Sequence, residues 1–480
     1  MSSSNVECEI ALKNEAEMEN RNLKFDVAVI GGGPAGTIAA ISSAIQGART
    51  ILIEKNGYLG GALTACGTGP QMSYHAGNTQ VVRGIPEKIE REMVRRGYST
   101  GHQPDAVGYC ATTTAFDPEG LKIVWEDMAL KAGVTLLYHT VYTGCSVQND
   151  IIEKVRLYTK GGFLNLEAKE FIDASADADL AADAGVPMVY GKENDSVAQP
   201  MTMNFHVYGV DRDRLCDFVL ANREDMAVET PENLREYRHF DISGAYSRIA
   251  ESRRKHEYPI ERENVLCFET NTNGEYVVNM TRIKGCSAID PFDLTRAEIE
   301  GRKQVMVAFQ FLRNNIPGFE NAHLMYSGPE IGVRESRRII GKYVLTEKDL
   351  INNVMFPDAV AMGGYPIDDH TMPIGGSKAF RLKEGSWYSV PYRSLISNEI
   401  SNLLVAGRCI SATHSACAAV RVTPIVMAMA QGAGTAAAMA AAIGCRVQKL
   451  DTDKLRIQLR KDGAFLEEYA EKTDLRGGQL

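Results

Sequence analysis

The chain has 480 residues, 44% hydrophobic and 24% charged, enough apolar material for about two globular domains and too much for a disordered chain. Its formal charge of −9 disfavours nucleic acid and anionic lipid as partners, but clustered arginines can still attract a small anion within a Debye length. Ten cysteines without a CxxC pair exclude zinc-knuckle, iron–sulfur and dithiol signatures, and no metal site is expected. Scattered reduced thiols, and a polar leader at 1–21 without an apolar signal core, point to the cytoplasm.

Residues 25–30 (FDVAVI) form an apolar, β-branched run that ends at Gly31. Residues 37–46 read as a small-residue helix and 50–54 (TILIE) as a second strand, a tight βαβ start. A glycine-rich loop follows, then amphipathic helices at 85–96 and 119–131 and a strand at 134–138. Residues 155–159 and 163–168 are expected to pair as a hairpin about Lys160-Gly161-Gly162, with 170–174 as a separate strand. From 187 to 393 the texture changes to short alternating runs such as 201–207 and charged helices such as 294–314. Residues 402–406 return to a buried-strand pattern, and the end of the chain, from 447, is charged and helical.

The stretch 424–444 is long enough to pass for a membrane span, yet its alanine and glycine content and Gln431 favour a buried packing helix. The expected fold class is α/β. A Rossmann-like nucleotide domain spans 22–186 and resumes at 394–447. A mixed α+β substrate domain is inserted at 187–393, and a helical segment closes the chain at 448–480.

Gly31, Gly33 and Gly36 of GGGPAG stand in GxGxxG spacing between the first strand and the first helix. Gly31 permits the turn, Gly33 lets main-chain N–H groups approach a pyrophosphate, and Gly36 lets the helix pack closely. Glu54, at the end of the next strand, can accept both ribose hydroxyls. Gly60, Gly61 and Thr64 belong to the glycine-rich loop that follows the second strand. A second GxGxxA string, Gly432, Gly434 and Ala437, follows no strand and reads as helix packing. Without a second valid fingerprint, a separate NAD(P)H domain is not expected.

With these motifs stand QVVRGIPEKI around Arg83, the acidic turn Asp173 to Asp179, IGVRESRRIIGKYVL from Ile331, YPIDDH ending at His370, and LLVAGRCISATHSACAAVRVTPIVMAMAQGAGTAAA from Leu403. Together they make the chain resemble the FAD-dependent oxidoreductases, within the fumarate-reductase and glutathione-reductase superfamily. The resemblance implies FAD, bound covalently or not. Gly31, Gly33, Pro34, Ala35, Gly36, Glu54, Lys55, Gly60, Gly61, Thr64, Val141 and Ala174 would hold its ADP half and pyrophosphate. Gly407 and Arg408 would approach the pyrophosphate and ribityl chain, and Arg421, Val422 and Thr423 the flavin ring. One departure stands out: the acidic turn commonly carries glycine where this chain has Ala176.

Three residues are candidates for the chemistry. His370, oriented by Asp368 or Asp369, could move a proton while a flavin moves a hydride; a structural histidine is the alternative. Arg334, in GVRESRR with Arg337 and Arg338, could clamp a substrate carboxylate or phosphate, or pair with Glu330 or Glu335. His75 could reach the flavin ring. His75 or Cys66 could carry the flavin covalently, Cys66 could act as a redox thiol, and His206 could face either side of a strand.

The leading expectation is hydride exchange between FAD and a small polar organic substrate. A redox-neutral hydratase or isomerase, or an electron-relay subunit, would use the same fold. A homo-oligomer is compatible with the sequence, and the electron acceptor is not written in it.

Overall fold

The β-branched run Val27–Ile30 is buried on both faces, as is the four-residue strand that follows the first helix, and this is the pattern of central parallel strands. The computed structural model describes residues 22–228, 231–371 and 382–467. Strand β1 (Asn22–Ile30) leads through a glycine turn into helix α1 (Pro34–Ile45) and back into β2 (Thr50–Ile53), which pairs parallel to β1. Helices α2 (Ile85–Arg95) and α3 (Pro118–Ala132) precede β3 (Thr135–Leu137), parallel to β2. Strands β4 (Val141–Gln148), β5 (Ile151–Thr159) and β6 (Gly162–Asp173) complete the first pass in the order β3-β2-β1-β6-β5-β4.

The expected hairpin about Lys160-Gly161-Gly162 forms, but its second arm and the strand expected at 170–174 are one continuous element. No turn residue interrupts Ala168-Lys169-Glu170, so β6 runs on. It pairs antiparallel with β5 over Gly162 to Leu166 and parallel with β1 along most of its length.

The second core is built from an antiparallel sheet of β7 (Phe205–Tyr208), β8 (Asp241–Gly244), β9 (Val265–Glu269) and β10 (Tyr276–Val278). The long helix α4 (Pro291–Asn315) and strand β11 (His323–Ser327) complete it. Apart from Ala106, its buried residues lie between Met201 and Ile331. From Ile339 onward the apolar side chains, among them Leu345, Val360, Tyr388 and Tyr392, belong to the first core. Core membership therefore changes near residue 335, not at the expected 393. The segments responsible are short β pairings, Met188–Tyr190 with Arg337–Ile339 and Ala359–Gly363 with Tyr388–Pro391, whose residue types match those of the second core.

Strand β12 (Leu403–Val405) then joins the end of β6, parallel to it. Helix α5 (His414–Val420) is followed by α6 (Thr423–Ile443), which lies against α1. Ser42 Oγ donates to Gln431 O at 2.9 Å and sits 2.8 Å from Thr435 Oγ1. A Cβ on Gly434 would stand 2.1 Å from Ala39 O, so the second GxGxxA string serves helix packing. Helix α6 is long and apolar enough to cross a membrane, but 83% of its apolar window is buried inside the protein. The leader 1–21 and the end of the C-terminal segment, 468–480, lie outside the described residues.

Candidate active site

Two glycine loops face each other at the carboxyl ends of β1 and β2. Gly31 has φ +103°, and a Cβ there would meet Ala174 O at 2.5 Å. A Cβ on Gly36 would fall 1.7 Å from Gly31 O, so the glycine is required by the turn itself. Gly33 differs: the nearest atom to a Cβ there is Gly61 Cα at 3.9 Å. The space in front of it is open, bounded by the second loop, which is tied down by Gly60 N–H donating to Gly32 O at 2.9 Å. Pro34 opens α1, and no side chain caps its first N–H groups, which are left to an anion.

Glu54 is 7% exposed and accepts from Gly32 N–H at 2.6 Å and Asn56 N–H at 2.8 Å, one to each oxygen. Burial raises its pKa, and the two main-chain donors oppose that. Each oxygen keeps a further lone pair for a ribose hydroxyl. Val141, on the surface, follows Thr140, whose N–H donates to Glu54 O at 3.1 Å. Gly407 has φ +112° and lies 3.4 Å, at its missing Cβ, from the Ala35 methyl.

Three expected ligands are otherwise engaged. Lys55 Nζ is 2.9 Å from Glu330 Oε2, and Thr64 Oγ1 donates to Leu59 O at 2.9 Å. Arg408 donates to Ser336 Oγ at 2.6 Å and Asp177 Oδ1 at 2.7 Å, bracing the acidic turn.

The second constellation gathers around the Asp368–His370 loop. His370 Nε2 is 2.8 Å from Asp368 Oδ2. Arg421, two residues before the start of α6, lies 3.5 Å from the same carboxylate oxygen and 3.3 Å from Gln199 Oε1. Arg334 donates to Pro200 O at 2.7 Å and to Thr202 Oγ1. Arg282, from the second core, donates to His370 O at 2.5 Å. Burial lowers the His370 pKa to about 4, with Arg334 adding to the fall and Asp368 only partly opposing it. Burial also lowers the Arg334 pKa to about 9, helped by Arg421 and Arg262. Burial works against charge on Asp368, yet His370, Arg421 and Arg334 hold its pKa well below the usual carboxylate value. The loop thus offers a neutral imidazole at pH 7 beside a carboxylate and several guanidiniums.

Behind this loop stands His414. Its Nδ1 is 2.8 Å from Glu335 and its Nε2 is 3.1 Å from Asp369 Oδ1. Burial opposes the imidazolium, but the carboxylates of Asp369 and Glu335 on either side outweigh it and raise the pKa to about 9. Glu335 is shared with the fully buried Arg338, which also donates to Ala412 O at 2.8 Å.

Of the expected catalytic residues, Arg334 and His370 come together and His75 does not. His75 Nδ1 is 3.2 Å from Thr112 Oγ1, its ring is 5.2 Å from that of His102, and burial lowers its pKa to about 4. Its main chain packs on Gly364, with His75 O 3.0 Å from a Cβ placed there. Burial raises the Cys66 thiol to about 12, which works against a thiolate role. His206 is buried and stacks on Tyr326 at 4.4 Å. Sequence reasoning missed Arg282, which sits in no recognisable motif, and His414, which lies within the LLVAGRCISATHSACAAV stretch without having been singled out.

Residues 26–459 match the family described as FAD dependent oxidoreductase. The chain belongs to that family. Over 216 residues it is 27% identical to the digeranylgeranylglycerophospholipid reductase of Methanosarcina acetivorans, covering 41% of this chain and 48% of that one. Over 187 residues it is 41% identical to the mitochondrial dihydrolipoyl dehydrogenase of Schizosaccharomyces pombe, covering 34% and 37%. The chain thus spans half or less of the length of these curated relatives. A solved geranylgeranyl bacteriochlorophyll reductase-like protein from Thermoplasma acidophilum aligns with a TM-score of 0.47 and 12% identity, over 92% of this chain and 84% of that one.

The protein is an FAD-dependent enzyme, and its cradle fits that cofactor. The open face of Gly33 between two glycine loops and the uncapped start of α1 suit a pyrophosphate. The spare lone pairs of Glu54 suit a ribose.

Proposed function

We propose that this flavoprotein exchanges a hydride between FAD and a small polar organic substrate held against the Asp368–His370 loop. Bound FAD supplies the hydride acceptor or donor at N5. Gly33, Gly36, Gly61, Glu54 and Ala174 would hold its adenosine and pyrophosphate portion. Arg421, Val422 and Thr423, at the start of α6, would face the flavin, where a helix N-terminus favours negative charge. His370, neutral at pH 7, takes up or gives the substrate proton, and Asp368 orients it. Arg334 and Arg421 orient the substrate through its polar groups. The carrying observation is that His370 and Arg421 meet on the Asp368 carboxylate, while Arg334 is held on Pro200, next to the Gln199 that Arg421 also reaches. The nine described cysteines are all unpaired, which supports a cytoplasmic setting.

The test is anaerobic mixing of the flavin-loaded enzyme with a panel of small polar compounds, followed at the visible flavin band. A substrate should bleach that band, and His370→Gln should slow the bleaching by about 100-fold or more. A product formed with no net flavin change, or bleaching indifferent to His370, would sink the proposal.

A further inference from the structure

Gln199 is 2% exposed, and only one end of its carboxamide is engaged. Its main-chain N–H donates to Glu335 Oε2 at 3.0 Å, and Arg421 Nη2 donates to its Oε1 at 3.3 Å. A guanidinium can only donate, so the carbonyl end of the amide must face Arg421, and Nε2 is turned the other way. Among the described residues that buried Nε2 has no hydrogen-bond partner, and neither has the buried Nε of the same Arg421. The two unspent N–H groups are separated by no more than one carboxamide, one hydrogen bond and one guanidinium. Arg421 also stands 3.5 Å from Asp368, and the side chains of Arg421, Asp368 and His370 keep 14%, 13% and 15% exposure, so the place where they meet opens to solvent. The neighbouring carboxylates are already committed: Asp368 to His370, Asp369 to His414, and Glu335 to His414 and Arg338. A buried donor without an acceptor is costly, and it persists where a ligand completes it.

Resting on the substrate-site reading above, we propose that Gln199 determines specificity there: its Nε2–H, with the Nε–H of Arg421, holds a substrate group that only accepts hydrogen bonds, a carboxylate or a ketone carbonyl. The oxygens of such a group satisfy both donors and ask for nothing in return. A hydroxyl in the same place brings a hydrogen of its own, and the carboxylates that could take it are spent. The segment is held in place for this role, because Pro200, next in the chain, accepts from Arg334 on its carbonyl at 2.7 Å.

The flavin-loaded protein is titrated calorimetrically at pH 8 and constant ionic strength with propionate, butanone and 1-propanol, probes of similar size that carry a carboxylate, a carbonyl and a hydroxyl. Propionate or butanone should bind about tenfold or more tighter than 1-propanol, and the better of the two shows which oxygen the site takes. Gln199→Glu is the decisive variant, because its carboxylate still accepts from Arg421 but no longer donates, and it should lose that preference. A role confined to holding Arg421 would survive the exchange. Gln199→Met, close in shape and without the donor, should lose the same preference and serves if the glutamate variant does not fold. The inference is overturned if 1-propanol binds as tightly as the other two, if neither propionate nor butanone binds, or if the preference survives in the variant. A survival accompanied by a shift of the resting flavin band would assign Nε2 to the cofactor instead. The readouts need no turnover: propionate or butanone binding through Gln199, in an enzyme whose flavin no compound bleaches, sinks the hydride-transfer reading alone. Bleaching that is slowed by His370→Gln but indifferent to Gln199→Glu sinks this one alone.

Discussion

At Ala176 the backbone takes φ +72°, the left-handed region that costs a residue with a Cβ about 1 kcal/mol. This is the turn where the resembling family commonly has glycine, and here alanine takes the left-handed conformation at a conformational cost. Ala176→Gly should raise stability by about 0.5–1 kcal/mol in chemical denaturation, the strain relieved exceeding the added entropy of the unfolded chain; a variant less stable than the parent would show that the turn is not strained. His414 gives a second prediction at this scale. Its folded pKa, about 9, lies above the unfolded value near 6.5, so its stabilisation is complete below pH 6.5 and is lost as the pH rises through 9. The stability gap between the parent and His414→Gln should be about 2 kcal/mol near pH 6 and shrink steadily towards pH 9.5. A gap that does not change with pH would mean that the imidazole is not charged in the folded protein.

Helix α6 fixes the position of the site because it is pressed against α1 over its glycine face and begins next to Arg421. Gly434 allows that approach: Ala39 O lies 2.1 Å from where its Cβ would be, and a main-chain carbonyl cannot swing aside. Gly434→Ala should therefore cost about 3 kcal/mol and lower the flavin content of the purified protein. On the same helix Ile443, 71% exposed, should tolerate alanine within about 0.5 kcal/mol. Equal melting temperatures for the two variants would mean that α1 and α6 have room to separate.

Over the whole molecule, two cores meet where the chemistry is proposed. The first supplies the glycine loops, Asp368, His370 and Arg421; the second supplies Arg282, which donates to His370 O. A cofactor that binds only the folded state stabilises by mass action, about 2.7 kcal/mol at a hundredfold excess over its dissociation constant. Stripping FAD should lower the melting temperature, and adding it back should restore the temperature in proportion to the logarithm of free FAD. A melting temperature indifferent to FAD would contradict a cradle formed only in the native fold.

Local chemistry decided what could be read from the chain alone. A β-branched run closing on Gly31, a carboxylate at the end of the next strand and the small residues of α6 act through their own backbone and near neighbours, so the nucleotide fold and its cofactor were legible. Even there, the engagement of Lys55 by Glu330 and of Arg408 by Asp177 was not, because each partner lies far away in sequence. The meeting of His370 and Arg421 on Asp368 with Arg282 on His370, the departure of His75 to His102, and the return of residues 339–393 to the first core were decided by tertiary structure. A guanidinium looks the same in any sequence; whether it is a solvated surface charge or a buried, unpaired one depends on what the rest of the chain folds over it.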